Sequence, residues 1–130
     1  MIAVDTSVLV RVLTRDEPAQ VRKALRRLRG QEVWLSKTVL LETEWVLRYS
    51  YGLSPPVVAH ALQRLLGYPR ARIEDRQGVV LALEGYVAGL DFADALHVAS
   101  AVDADRFLTF DRTLARRSQG RAGLPPVEAL

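Results

Sequence analysis

The chain contains no cysteine. That excludes a disulfide framework, a thiolate metal site and a thiol nucleophile, and it fits a reducing, cytoplasmic setting. Its longest apolar runs fall far short of the about 18 residues that suggest a membrane span, so no membrane association is expected. The N-terminus opens directly on an apolar strand with no basic segment before it, so no signal peptide is expected. There is no glycine-rich phosphate loop, which argues against a nucleotide-binding domain. His97 has neither a second histidine nor a cysteine to join it, so zinc is not expected. No linker, internal repeat or low-complexity segment divides the 130 residues, and a single domain over residues 1–130 follows.

What is present is ordinary globular composition, 49% hydrophobic and 25% charged. Lysine and arginine number 18 against 15 aspartates and glutamates, a formal charge of +3. So mild an excess is compatible with nucleic acid or an acidic partner without pointing to either.

Short apolar runs alternate with helical periodicity along the whole chain. Ile2-Ala3-Val4 reads as a strand, followed by a helix in which Val8, Leu9, Val12 and Leu13 recur at helical spacing. Asp16-Glu17-Pro18 starts a second helix that would bury Val21, Leu25 and Leu28. Its other face carries Arg22, Lys23, Arg26, Arg27 and Arg29, either a solvated face or a track for phosphates or a partner. Val33-Trp34-Leu35 is a second strand, and Ser36 or Thr38 caps a helix running to about Tyr51. Another helix follows Ser54, Ala71-Arg72-Ile73 suits a short edge strand, and Asp75 suits the start of a helix reaching about Gly89. Asp91 caps the next helix, and Phe107-Leu108 make a buried strand ahead of a short basic helix. A last strand fits near the C-terminus. The alternation predicts α/β architecture: a central, mainly parallel sheet flanked by helices in three layers.

Four acids stand out. Asp5 and Asp111 sit just past the carboxyl ends of strands, where ligands bind in open α/β sheets. Asp94 lies in the first turn of the helix capped by Asp91, so it either supports the helix terminus or serves chemistry. Glu44 has Arg48 four residues on, an ordinary surface pair. Glu42 has Thr38, Val39, Trp45 and Val46 at the neighbouring helical offsets and no local cation. It reads as a carboxylate on an apolar stripe, which needs a partner or a metal. Each acid alone has a structural explanation. Together they suggest an oxygen-only site for Mg²⁺ or a similar hard cation, the apparatus of phosphodiester hydrolysis. A receiver domain would want a lysine near its last strands, and none is evident. A haloacid-dehalogenase-type phosphatase needs Asp-x-Asp after the first strand, but position 7 is serine.

The order of these segments resembles the PIN-domain family of metal-dependent nucleases, specifically VapC-type toxins of bacterial toxin–antitoxin pairs. Ile2 to Arg11 is similar to that family's first motif, Leu40 to Arg48 to its second, Asp91 to His97 to its third and Leu108 to Arg112 to its fourth. The resemblance implies a Mg²⁺- or Mn²⁺-dependent endoribonuclease with metal-binding or catalytic roles for Asp5, Glu42, Asp94 and Asp111. It implies supporting roles for Thr6, Asp91 and Thr109 in orienting carboxylates or water. It also implies an RNA substrate, a homodimer and a small antitoxin that blocks the site. With so mild a net charge, RNA or partner contacts would rely on local patches such as Arg22, Lys23, Arg26 and Arg27. The alternative is a catalytically silent PIN-like module that binds RNA or protein.

Overall fold

The computed structural model describes residues 1–130, and it is α/β throughout, with seven helices, five strands and every strand pair parallel. The expected class is therefore the observed one. The residues gather into two compact units, Met1–Arg76 and Gln77–Leu130.

In the first unit the order is β1 (Ile2–Ala3), α1 (Thr6–Thr14), α2 (Pro18–Leu28), β2 (Val33–Leu35), α3 (Lys37–Tyr49), α4 (Pro55–Leu66) and β3 (Ala71–Ile73). The strands form one sheet in the order β1-β2-β3, pairing Ile2 with Val33 and Val33 with Ala71. Parallel neighbours need a crossover, and the pairs α1–α2 and α3–α4 provide it. β3 is an edge strand, as read. Burial alternates along the strands: Val33 and Leu35 are buried about a half-buried Trp34, and Ala71 and Ile73 about an exposed Arg72.

Helix α3 starts where Ser36 Oγ accepts the Val39 amide at 3.2 Å, so the earlier of the two expected caps is used. Its buried residues, Leu40, Thr43, Glu44 and Leu47, fall at i, i+3, i+4 and i+7, a single stripe. Helix α2 is less covered than its periodicity implies. Val21 is buried, but Leu28 is half-buried and Leu25 is 39% exposed. Leu25 and Leu28 instead line an apolar groove of about 520 Å³ shared with Val8 and Val12 of α1 and with Ala61 and Leu65 of α4. Arg15, Arg29 and Arg64 stand around it. The remaining face of α2 carries the exposed Arg22, Lys23, Arg26 and Arg27, as expected.

The turn from α1 to α2 is tied by side chains. Arg15 closes α1 in a left-handed conformation, φ 55°, with its amide donating to the Arg11 carbonyl. Asp16, read as a plain helix-start acid, is the anchor of this turn. Its Oδ2 accepts from the Tyr51 hydroxyl at 2.7 Å and its Oδ1 from the Thr14 hydroxyl at 2.8 Å. Arg11 Nη1 donates to the Tyr51 oxygen at 2.8 Å and pairs with Asp16 at 3.2 Å. The two hydroxyls, and then Arg11, hold the Asp16 carboxyl below its ordinary range.

The second unit contains α5 (Arg76–Val87), α6 (Phe92–Ala99), β4 (Phe107–Thr109), α7 (Arg112–Arg117) and β5 (Val127–Ala129). β4 and β5 form a two-stranded parallel sheet in which Phe107 pairs with Val127, and the Leu130 amide extends the ladder to the Thr109 carbonyl at 2.9 Å. Phe92 is completely buried and meets the Tyr86 ring edge-on, with centroids 5.3 Å apart. α5 turns back onto α6 through Gly89, at φ 103°, and Leu90. A side chain at Gly85 would put its Cβ 3.1 Å from Leu90 Cδ1 and 3.3 Å from Ala95 Cβ, so anything larger than glycine asks those neighbours to give by a few tenths of an ångström.

Removing the Tyr51 hydroxyl tests the turn. A carboxyl with a lowered folded pKa contributes stability above its unfolded pKa and loses it as pH falls through the folded value. Tyr51→Phe is therefore less stable than the native chain at neutral pH, and the difference shrinks in strong acid. Urea unfolding across that range checks it, and a gap that does not change with pH would show that the carboxylate is not the partner that matters.

Candidate metal centre

Every acid picked out from the sequence lies at the end of a strand or in the first two turns of a helix, and local hydrogen bonds fix several of them. Asp5 holds the N-cap position of α1 with extended backbone, φ −84° and ψ 163°, yet its side chain makes no capping bond. Its Oδ2 accepts instead from the Ser7 hydroxyl at 3.1 Å. Ser7 is thus a supporting residue that the sequence reading passed over. The signal was a hydroxyl two residues beyond a strand-end acid, where short polar side chains bond locally. Thr6, expected in that supporting role, is buried, and its Oγ1 has no hydrogen-bond partner.

The two glutamates of α3 are the reverse of expectation. Glu44, read as half of a surface pair, is buried with a side chain only 2% exposed. Arg48 reaches it as foreseen, Nε donating to Oε2 at 2.7 Å and Nη2 to Oε1 at 3.3 Å. Glu42, read as sitting on an apolar stripe, is exposed. Its neighbour Trp45 is also exposed, and Tyr49 on the next turn meets the Trp45 ring at a tilt of 44° with centroids 5.2 Å apart. Of the apolar neighbours of Glu42, Val39 and Val46 are half-buried and Trp45 is on the surface, while the core takes the stripe through Leu40 and Leu47. Burial cannot be the reason for giving Glu42 a function. An exposed carboxylate that forms no ion pair remains free to take a ligand.

In the second unit the charges of Asp91 and Asp111 act on Asp94. Asp91 caps α6, its Oδ2 accepting the Asp94 amide at 3.3 Å. Asp111 caps α7, its Oδ1 accepting the Leu114 amide at 3.0 Å, and its own amide donates to Thr109 Oγ1 at 2.9 Å. The cap at Asp91 and a helix starting at Asp111 were legible in the sequence, while the Thr109 hydroxyl serves here as the acceptor for the Asp111 amide. Asp94 is half-buried, and its carboxyl is pushed above the ordinary range, first by burial and then by the negative charges of Asp91 and Asp111, against a smaller opposing effect of His97. The structure therefore brings Asp94 within the field of two other carboxylates. Neither unit by itself gathers three or more Asp, Glu, His or Cys side chains closely enough to hold a metal ion. The donor set nevertheless suits a hard divalent cation, because it is all carboxylate oxygen and carries excess like charge that a cation would neutralise.

The PIN domain profile matches residues 2–119, and the chain belongs to that family, whose members are typically nucleases. The match runs through all four of the segments singled out above. No curated protein matches the chain.

Two outcomes are expected of this geometry. Arg48→Met takes the guanidinium away from the buried Glu44 carboxylate and costs up to about 3–5 kcal/mol, whereas Glu42→Gln changes stability by no more than about 0.5 kcal/mol. Denaturant unfolding of both variants separates the two glutamates. For Asp94, a raised carboxyl pKa makes the charged form costly: the cost is absent below the unfolded pKa and complete above the raised one. Asp94→Asn is accordingly more stable than the native chain at neutral pH in EDTA, and the gain vanishes in acid. Added Mn²⁺ raises the melting temperature of the native chain more than that of Asp94→Asn.

Proposed function

We propose that the chain is a single PIN domain acting as a Mg²⁺- or Mn²⁺-dependent endoribonuclease, the toxin of a VapC-type toxin–antitoxin pair working in the cytoplasm. The observation that carries this reading is Asp94, half-buried among the charges of Asp91 and Asp111 inside a family match covering most of the chain. A structural capping role would not call for a half-buried carboxylate in the field of two others. Asp5, Asp94, Asp111 and Glu42 are the residues that would hold the cation. When bound, such an ion stabilises charge on the scissile phosphate and makes water nucleophilic at neutral pH.

The protein's own part is orientation. Asp111 is held from both sides, by Thr109 at its amide and by the Leu114 amide at its carboxylate, so its free oxygen has a fixed direction. Asp91 fixes the first turn of α6 and with it the Asp94 backbone. Ser7 restrains one oxygen of Asp5. Glu42, exposed and outside every ion pair, is the group available to orient the attacking water or a second cation.

RNA contacts are assigned to the exposed Arg22, Lys23, Arg26 and Arg27 of α2, whose charge suits a phosphodiester backbone. What supports a protein partner is the apolar groove between α1, α2 and α4. Its apolar floor and the arginines around it suit an amphipathic, acidic segment such as a small antitoxin would offer. The exposed Trp45 and Tyr49 suit a homodimer contact. No helix is long and apolar enough to cross a membrane.

The test is cleavage of RNA by the purified chain in Mg²⁺, Mn²⁺ or EDTA, beside Asp94→Asn and Glu42→Gln. Metal-dependent cutting lost on Asp94→Asn by a factor of about 10² or more is expected, the size of losing one preorganised charge. RNA binding without cleavage in any metal would overturn the nuclease and leave a silent binding module.

A further inference from the structure

The most exposed large apolar side chain in the protein stands beside one of its acids. Phe110 is 83% exposed, between Thr109 at the end of β4 and Asp111 at the start of α7. The backbone around it is held in place. Thr109 Oγ1 accepts the Asp111 amide at 2.9 Å, the Thr109 carbonyl accepts the Leu130 amide at 2.9 Å, and Asp111 is fastened to Leu114. The phenyl is therefore presented to solvent from a fixed segment. Nothing in the fold uses it: the core of this unit is filled by Phe92, Leu96, Leu114 and their neighbours.

The residues after Phe110 are basic. Arg112 and Arg116 are exposed and enter no ion pair, whereas Arg117 is spent on the Gly89 carbonyl at 3.1 Å. An exposed aromatic ring followed closely in the chain by exposed arginines outside every ion pair matches single-stranded nucleic acid, in which a base offers a π-face and the backbone offers phosphates. It matches an apolar protein surface less well, because two unpaired charges would have to be desolvated with the ring. Duplex RNA is a poor fit, since its bases are stacked on one another and unavailable to a side chain.

We infer that Phe110 is a nucleobase-stacking residue: an unpaired base of the RNA lies on its ring, Arg112 and Arg116 take the adjoining phosphates, and the neighbouring phosphodiester is thereby delivered to Asp111 and Asp94. This rests on the ribonuclease reading and adds to it a positioning residue for the strand. Phe110 touches no reacting atom in this scheme. Its effect is on binding of the strand and on which bond is presented.

The experiment compares Phe110→Ala, Phe110→Leu and Phe110→Trp with the native chain. Binding of an end-labelled single-stranded RNA is followed by fluorescence anisotropy in EDTA, and KM and kcat for its cleavage are followed in Mn²⁺. Phe110 is exposed, so unchanged melting temperatures are expected for all three variants. Loss of one stacked base corresponds to about a tenfold weaker Kd. That loss is expected for Ala and equally for Leu, which keeps the apolar surface without the π-face, while Trp restores binding. KM should follow Kd with kcat little changed, and a duplex of the same sequence should bind without regard to position 110. Leu binding as well as Phe would overturn stacking. Cleavage with unchanged KM in Phe110→Ala would also overturn it, leaving the nuclease intact. Binding that depends on the ring without cleavage by the native chain would sustain the stacking site and remove the nuclease. A native chain that binds no RNA, or a Phe110→Ala change seen only as loss of self-association, would overturn the proposal.

Discussion

Parallel pairing of very short strands is the constraint on which the rest of this protein depends. A ladder of two or three residues contributes few hydrogen bonds, and a parallel neighbour is reached only by a crossover, so helices must supply most of the packing. In the first unit β1, β2 and β3 all run the same way, and the segments that leave their carboxyl ends start at one edge of the sheet. Asp5 follows β1, Ser36 follows β2 and Glu74 follows β3. At that edge Glu74 Oε1 accepts the Lys37 amide at 2.8 Å, linking two of these exits directly. Chemistry placed there costs the core little, because the polar side chains point off the end of the sheet.

The same economy is visible in the capping residues. Asp91 and Asp111 each satisfy an amide at the start of a helix, a job that an aspartate does in many proteins with no further purpose. Here the caps also set the position of charge around Asp94. Fold and candidate chemistry thus draw on the same side chains, and they pull in opposite directions. Capping by Asp91 and Asp111 stabilises α6 and α7, while the field they create works against a charged Asp94. Such an opposition is the ordinary cost of a site that gathers like charges.

How far this was legible in the sequence depended on the distance over which each feature is decided. Caps, turns and strand ends are settled within about four residues, and the capping readings at Ser36 and Asp91 and the helix start at Asp111 hold. The pairing of Glu44 with Arg48 was equally local and equally correct. Which side of α3 meets the core was not, because apolar residues lie on both sides: Leu40 and Leu47 on one, Trp45 on the other. Only tertiary packing chooses between them, and it exchanged the expected burial of Glu42 and Glu44. Similarly, helical spacing alone could not show that Leu25 would line an open groove rather than a sealed core. The order of motif-like segments carried what local patterns could not, and the family match over residues 2–119 agrees with it.

The corner at Gly85 has a meaning for the history of this chain. Every residue reachable from a glycine codon by one nucleotide change carries a Cβ, and all but alanine carry at least one more heavy atom. At position 85 the first of those atoms already presses on Leu90 and Ala95. Ala95 is the immediate neighbour of Asp94 in α6. Mutation on the exposed surface meets no such neighbour, whereas any single step at this interior position asks Leu90 and Ala95 to give way, and with them the helix that carries the acid. The position is thus under constraint from packing alone, without any contact with substrate.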